Sequence, residues 1–501
     1  MRRKYWKNQT NRLLLCLWGM MLISLLTCCN TVVIEPKPEP VQTVEIISGY
    51  SIQLTTSSKG QWASDNPSVA TVSSTGLVTA VSAGKATIYT YSSTGEQHIV
   101  CYLEVNPKRN ILFYIATDAD ASIDSDAPGK IQQIRAGWEP DQGEMLIYVD
   151  RRYQEAMLLR INNTLNGGIY GLDTIAVYGE ESSADPHVLS RMITTLVNDY
   201  PADSYGLIFF SHASGWLPAG TLNHPRSSEI NQPFFEQLNP VESELRSLVI
   251  DNGEGTRNEM NYDDFAAAIP DHQFDFIIFE ACLMADVLTM YELRNKAEYV
   301  LVSSAEIVAP GFTHIYRNNI MQLYDTKNTV PSIVSDFAQA FHDHVLQFPD
   351  NNVYCSSTLG LIKMSEMQNL ATAVKAALNG VKFDEALLSI DNIQRFDRLQ
   401  LISSGQKSYR YFDLDHVIEN LASSSQYASF RTQMDKTVVW KENTNRFLLG
   451  DSPNGNPYYA EYDGFFIERH CGLTTYIPQL IYPVINAAYE ESSWYKTIYE
   501  Q

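Results

Sequence analysis

Two residues able to do nucleophilic chemistry stand at equivalent places in the chain, each just past a short apolar run. Leu207-Ile208-Phe209-Phe210 leads into Ser211-His212-Ala213-Ser214-Gly215-Trp216, and Phe276-Ile277-Ile278-Phe279 leads into Glu280-Ala281-Cys282-Leu283-Met284. Such runs read as buried strands, and ligands of an open α/β sheet bind beyond the carboxyl ends of strands. Neighbouring strands lie about 4.8 Å apart, so adjacent strands would turn the imidazole and the thiol toward one site. The chemistry would be acyl transfer. A thiolate attacks a carbonyl carbon, and a histidine within reach deprotonates the thiol or protonates the leaving amine. A helix opening near Met284 is expected to lower the thiol pKa through its N-terminal amides. Backbone N–H groups of Ala213 and Cys282 are candidates for binding the oxyanion. Spacing alone is weak evidence, since a cysteine after a buried strand is most often a small core residue and a histidine at a strand end is often a capped loop residue.

The elements that must position this pair have a βα rhythm. Apolar runs at Ile111–Ile115, Met145–Val149, Leu207–Phe210, Phe276–Phe279 and Tyr299–Val302 alternate with segments of helical spacing at His187–Tyr200 and Met284–Leu293. Further helices are expected at Val330–Leu346 and Ser365–Leu378. The fold class is therefore α/β, a mostly parallel sheet flanked by helices. Pro107–Asn110 reads as a linker in front of it.

The amino-terminal part has a different character. Arg2, Arg3, Lys4, Lys7 and Arg12 precede an apolar run, Leu13–Leu26, too short to span a membrane comfortably, which ends in Leu26-Thr27-Cys28-Cys29. This resembles a lipoprotein signal with Cys29 as the lipidated residue, the other reading being an ordinary signal peptide with incidental cysteines. Residues 1–28 are thus expected to be removed and 29–41, with Glu35-Pro36-Lys37-Pro38-Glu39-Pro40, to form an extended tether. The expected location is the bacterial cell envelope, exported and lipid-anchored, at the outer membrane or cell surface. Residues 42–106 show short alternating runs with Ser, Thr, Gly and Asn between them, a small β-sandwich pattern. Trp62-Ala63-Ser64-Asp65-Asn66-Pro67, Gly76-Leu77-Val78-Thr79-Ala80 and Gly84-Lys85-Ala86-Thr87-Ile88 resemble the group 2 bacterial immunoglobulin-like domain. That resemblance implies a spacer or adhesive module, with Trp62 in its core. Residues 107–501 form the second domain.

Bulk properties narrow the partners. Hydrophobic residues make up 45% and charged residues 19%, a globular balance. A formal net charge of -22 argues against nucleic acid or an anionic membrane surface as a ligand. Beyond Cys29 the cysteines are Cys101, Cys282, Cys355 and Cys471, too few and too scattered for a disulfide framework or a zinc site.

The wording around the reactive pair is more specific than its spacing. Phe279-Glu280-Ala281-Cys282-Leu283-Met284 with Met290-Tyr291-Glu292-Leu293, and Phe210-Ser211-His212-Ala213-Ser214-Gly215-Trp216, resemble the nucleophile and histidine segments of the clostripain family of cysteine peptidases. Tyr114–Asp120, Tyr299–Glu306 with Pro310-Gly311, Tyr411–Leu414 and Gly472–Pro478 resemble further segments of that family. The resemblance implies a caspase-like sheet, a dyad of His212 as acid/base and Cys282 as nucleophile, and cleavage of peptides after Arg or Lys. It implies Glu280, where the family usually has aspartate, as the acid that binds the basic side chain. Ala213 stands where the family usually has glycine, which keeps the N–H but disfavours positive φ. Leu217–Asn258 can hold a self-cleavage site in the family, with Arg226, Arg246 and Arg257 as candidates. No cofactor is needed for the chemistry. Calcium is implied by resemblance only, with Asp118, Asp120, Asp124 and Asp126 as an acidic turn lacking EF-hand spacing. The competing readings are a catalytically dead surface lipoprotein that binds protein or glycan, and a purely structural lipoprotein.

Overall fold

The computed structural model describes residues 41–56, 60–118, 121–217, 249–251, 258–350, 352–397, 400–401, 407–447 and 464–500. The expected signal, the expected lipidation site Cys29 and most of the expected tether lie outside them, as do Asp120, Arg226, Arg246 and Arg257. No helix of the described residues is long and apolar enough to cross a membrane.

The amino-terminal module is a β-sandwich. Thr43–Ile47, Gln97–Asn106, Gly84–Tyr91 and Gln61–Ser64 form one sheet, and Ser51–Gln53, Leu77–Ala80 and Ala70–Val72 form the other. Inward residues of both sheets, among them Val78, Ala80, Ile88 and Leu103, close its core, and Trp62 packs against that core half-buried. The segment read as a linker is shorter than expected. Arg109 and Asn110 belong to the next strand, which leaves only Pro107 and Lys108 between the modules. Asp203 accepts the Lys108 N–H at 2.7 Å and the Ser48 hydroxyl, and Tyr50 Oη donates to the Gly143 carbonyl at 3.3 Å.

The larger module is built on a nine-stranded sheet. Its strands are β1 (Arg109–Ala116), β2 (Met145–Asp150), β3 (Ala156–Asn166), β4 (Ile169–Gly179), β5 (Ser204–Phe210), β6 (Phe274–Glu280), β7 (Ala297–Ser303), β8 (Thr358–Lys363) and β9 (Val438–Asn443). Their spatial order is β4-β3-β2-β1-β5-β6-β7-β8-β9. The central five, β2-β1-β5-β6-β7, are parallel, and the two outer strands on each side are antiparallel. The order reverses between β1 and β5, and a sheet of this kind opens a crevice at such a switch point.

Alternation along each strand feeds two cores. Leu112 and Tyr114 face one, while Ile111, Phe113 and Ile115 face the other. The first face carries α2 (Pro186–Asp199), α3 (Tyr262–Ala268), α4 (Val287–Glu292) and the carboxyl-terminal helices, and the second carries α1 (Ala127–Gly137), α5 (Thr313–Asn319) and α6 (Val330–Val345). In α6, Ile333, Val334, Phe337, Ala338, Phe341 and Val345 recur at helical spacing and are all buried. Each large apolar side chain so covered stabilises the fold by roughly 1.5–3 kcal/mol before its entropy cost.

Candidate active site

The register of the two central strands decides where the reactive pair sits. β5 and β6 run parallel with Phe210 opposite Glu280. His212 and Cys282 therefore each stand two residues past the same rung, at the carboxyl edge of adjacent strands. Both side chains are partly exposed, while Ser211, Ala213, Ser214 and Ala281 around them are buried. Their segments touch through Gly215, whose φ of +57° takes the left-handed region. A Cβ there would lie 2.5 Å from the Leu283 carbonyl oxygen and 2.6 Å from Asp286 Oδ2. Only glycine lets the histidine loop lie this close to the cysteine turn. Leu283, next after Cys282, holds a φ of +61°, an uncommon conformation for a residue with a side chain.

Neighbouring elements fix that turn. Leu283 N–H donates to the Ala305 carbonyl at 2.9 Å and Ala285 N–H to the Ser303 carbonyl at 3.1 Å, which ties the turn to the end of β7. Thr474 N–H donates to the Ala285 carbonyl at 2.8 Å. Thr474–Thr475 in turn pairs with Phe412–Asp413, and the Tyr411 hydroxyl donates to the Ser214 carbonyl in the histidine loop. The helix expected near Met284 opens later, at Val287. Asp286 stops it from starting sooner, because its side chain accepts the Thr289 N–H at 2.8 Å as an N-cap. Cys282 thus lies in a turn four residues before the cap, and α4 has only six residues, so the dipole argument for the thiol does not hold. Asp286 is wholly buried, with Oδ2 unpartnered, and burial pushes its carboxyl up to about 7 against the opposing pull of the Thr289 hydrogen bonds.

Glu280 does not have the surroundings expected of a substrate-reading acid. Its Oε1 accepts Lys130 Nζ at 2.5 Å and the Phe312 N–H at 2.5 Å, and its Oε2 accepts Tyr316 Oη at 2.7 Å. Lys130, on α1, also donates to the Pro310 carbonyl at 2.7 Å and Thr313 Oγ1 at 3.0 Å, and its ammonium stands 4.1 Å from the centre of the Phe210 ring. Neither charged side chain has any exposure. Strand alternation is the cause: Phe279 points into one core and Glu280 toward the other, beneath the turn at 310–312 and the start of α5.

Of the acidic turn, Asp118 and Asp124 have separate partners. Asp124 is held by Arg151 at 3.0 and 3.1 Å. Asp118 instead leans on Asp251, and burial with that neighbour raises Asp118 to about 6. Asp150 at the end of β2 is pushed up to about 8 by burial first and Asp251 second. Asp251 and Asp150 both accept the Ser183 N–H, at 2.5 and 3.3 Å. Among the described residues, which leave out Asp120, no group of three ligating side chains could hold a metal ion. The four described cysteines are in no disulfide, and Trp216 is core, against Tyr476 and Tyr489 at 4.9 and 6.1 Å between ring centres. Asp286, Lys130 and Tyr411 escaped the sequence reading as site residues. Tyr411 alone carried a signal, since it opens a segment whose wording resembles the family.

Comparison with known proteins agrees with this architecture. The model of the clostripain family matches residues 114–496, and that of the group 2 bacterial immunoglobulin-like domain matches residues 42–101. An inactive zymogen C11 protease from Parabacteroides distasonis is similar at 24% identity and a TM-score of 0.61, over 79% of this chain and 99% of that one. A secreted C11 cysteine protease from Bacteroides thetaiotaomicron, solved with an irreversible peptide inhibitor, is similar at 25% identity and a TM-score of 0.60, over 78% of this chain and 98% of that one. A further secreted C11 cysteine protease from Bacteroides thetaiotaomicron, iotapain, shares 17% identity and a TM-score of 0.58, over 79% of this chain and the whole of that one. A search of curated proteins finds no relative. A caspase-like sheet with its reactive pair on adjacent strand ends, and a family match over most of the molecule, lead to one assignment: the chain belongs to the clostripain family of cysteine peptidases.

Proposed function

We propose that this protein is an exported endopeptidase in which Cys282 is the nucleophile and His212 the acid/base. The observation that carries the reading is the parallel register of β5 and β6, which sets both residues two positions past one rung at the open edge of the sheet. In the proposed cycle, His212 takes the thiol proton and Cys282 Sγ attacks the scissile carbonyl. The oxyanion is met by the N–H groups of Ala213 and Cys282. His212 then returns the proton to the leaving amine, and water releases the acyl group. Ala213 does not take a positive φ, so alanine is accommodated there without backbone strain, which supports a working site over a dead one. The peptide inhibitor bound by the secreted Bacteroides thetaiotaomicron protease supports a peptide substrate.

Export and anchoring through Cys29 rest on the charged, apolar and cysteine-ended leader. The preference for Arg or Lys before the cut rests on the family resemblance, and the buried Lys130 pair weighs against Glu280 as the acid that reads the basic side chain.

The test is hydrolysis of quenched fluorogenic peptides of varied sequence by the purified protein, alone and after limited proteolysis between the dyad residues, beside Cys282→Ala. Turnover absent from the variant supports the proposal. Equal rates in both, or none in either, with no thiol-directed labelling by peptidyl ketones, sinks it.

A further inference from the structure

Resting on the peptidase and anchoring readings above, we propose that the immunoglobulin-like module is a rigid stand fixed to the amino edge of the catalytic sheet. It holds the dyad away from the anchor, so that the enzyme cleaves soluble proteins of the surrounding medium and not proteins of its own membrane. The junction leaves no residue to act as a hinge. The Asn106 carbonyl accepts the Ser48 N–H at 2.9 Å, and the Pro107 carbonyl accepts the Thr326 hydroxyl at 2.9 Å. The Lys108 N–H donates to Asp203 Oδ2 at 2.7 Å, and the Lys108 carbonyl accepts the N–H groups of Asp203 and Ser204 at 3.0 and 3.1 Å. Pro107 has no N–H and a fixed φ. The backbone polar groups of both linking residues are thus engaged by the catalytic module. Glu45 also pairs with Lys327, and Tyr50 Oη donates to the Gly143 carbonyl at 3.3 Å. These contacts form at the high effective concentration that so short a link imposes.

All of them lie on one edge of the sheet. Arg109 begins β1, Ser204 begins β5, and Gly143 comes just before β2. The turn at Asp325–Lys327 is there too, because the Arg109 guanidinium bonds the Leu323 and Asp325 carbonyls at 3.0 and 3.4 Å. His212 and Cys282 stand at the opposite edge. β5 runs from Ser204 to Phe210, and a strand rises about 3.3 Å per residue, so roughly 25 Å of sheet separates the stand from the dyad. The direction of entry is fixed as well. Thr43–Ile47 runs parallel to Gln97–Asn106, with Ile47 opposite Asn106 and Thr43 opposite Tyr102. Asn106 adjoins the junction, so Thr43 lies farther from the catalytic module, and the described chain begins on the side remote from the dyad. A substrate on the same membrane would have to reach past the whole stand, whereas a soluble one meets the open edge directly.

Two measurements test it. Thr94 and Asp336 are exposed, one on each module. With spin labels on Thr94→Cys and Asp336→Cys in a Cys282→Ala background, pulsed electron resonance is expected to give one narrow distance distribution. Inserting about ten Gly and Ser residues between Pro107 and Lys108, a flexible spacer, is expected to broaden it. A wild-type distribution as broad as that of the insertion variant overturns the inference. In the second measurement, a histidine tag in place of residues 1–29 holds the protein on vesicles that carry a nickel-chelating lipid. A fluorogenic peptide is offered free in solution or coupled closely to a lipid of the same vesicles. Wild type and insertion variant are expected to cleave the free peptide equally. The variant is expected to cleave the lipid-coupled one at least about tenfold faster, because only a loosened catalytic module can turn back to the membrane and gain the effective concentration there. Equal rates on the lipid-coupled peptide overturn the inference. No hydrolysis of the free peptide above the Cys282→Ala background instead removes the peptidase reading, and the statement about substrates falls with it.

Discussion

Replacing Lys130 with methionine tests the physical claim behind the Glu280 assignment. Methionine keeps most of the lysine stem, so the cavity left behind is small and the change is mainly electrostatic. Glu280 would keep the Phe312 N–H and Tyr316 hydroxyl as donors but lose its ion-pair partner Lys130, in a place with no exposure. Breaking a buried pair by removing one partner costs about 3–5 kcal/mol, because the remaining charge is uncompensated. Glu280→Gln should cost about as much, since it strands the ammonium between the Pro310 carbonyl and Thr313. The double variant removes both charges together. It should be less destabilised than either single one, giving a coupling energy of about 2 kcal/mol or more. The assay is urea unfolding at neutral pH followed by tryptophan fluorescence, with Trp138, Trp216 and Trp494 buried in the larger module as reporters. Either single substitution costing under about 1 kcal/mol would refute the reasoning. So would single effects that add to the double effect within about 0.5 kcal/mol, because independent sites behave that way.

Three further outcomes follow from the geometry. Gly311→Ala must hold φ at +59° and push its Cβ against Glu280 Oε1, so it should cost about 2 kcal/mol or more in the same unfolding assay; a neutral effect would mean that the loop does not seal the pair as described. Asp286 has its carboxyl raised to about 7 in the fold. Its protonated form is therefore the stabilised one, and its contribution is complete at acid pH and fades as pH climbs toward and through about 7. Asp286→Asn should remove that decline, so that between about pH 4 and 7 the wild type loses stability relative to the variant by up to about 1.4 kcal/mol per pH unit; parallel curves in that window would contradict it. Tyr411→Phe leaves the Ser214 carbonyl without its hydroxyl donor. It should lower kcat by roughly tenfold with little change in KM, the scale of one buried hydrogen bond, and an unchanged kcat would show that this contact does not hold the histidine loop.

The central strands were legible because each is a continuous apolar run covered on both faces, and their ends located His212 and Cys282. Boundaries failed where polar residues are paid for by distant partners. Arg109 looked like linker, yet its guanidinium reaches Asp275 at 2.7 Å and the Leu323 carbonyl at 3.0 Å. Asn110 looked the same, yet it bridges the Tyr200 carbonyl and the Glu144 N–H, both at 2.8 Å. The helix after Cys282 was drawn too early because Met284 and Ala285 favour helix, while the left-handed Leu283 and the Asp286 cap delay it. Lys130 was invisible for a simpler reason. A lone lysine reads as solvated, and its partner lies 150 residues away. The family wording gave Glu280 a substrate to bind, and only the folded chain reveals the internal cation that meets it first.

The dyad itself is tested most directly by locating a covalent adduct. The purified protein is treated with a peptidyl ketone that alkylates activated thiols, then digested and mapped by mass spectrometry. The account predicts one modified residue, Cys282, with labelling that is lost in His212→Ala and unaffected at the buried Cys101, Cys355 and Cys471. Modification of Cys282 at the same rate without His212, or an adduct elsewhere while Cys282 stays free, would contradict it.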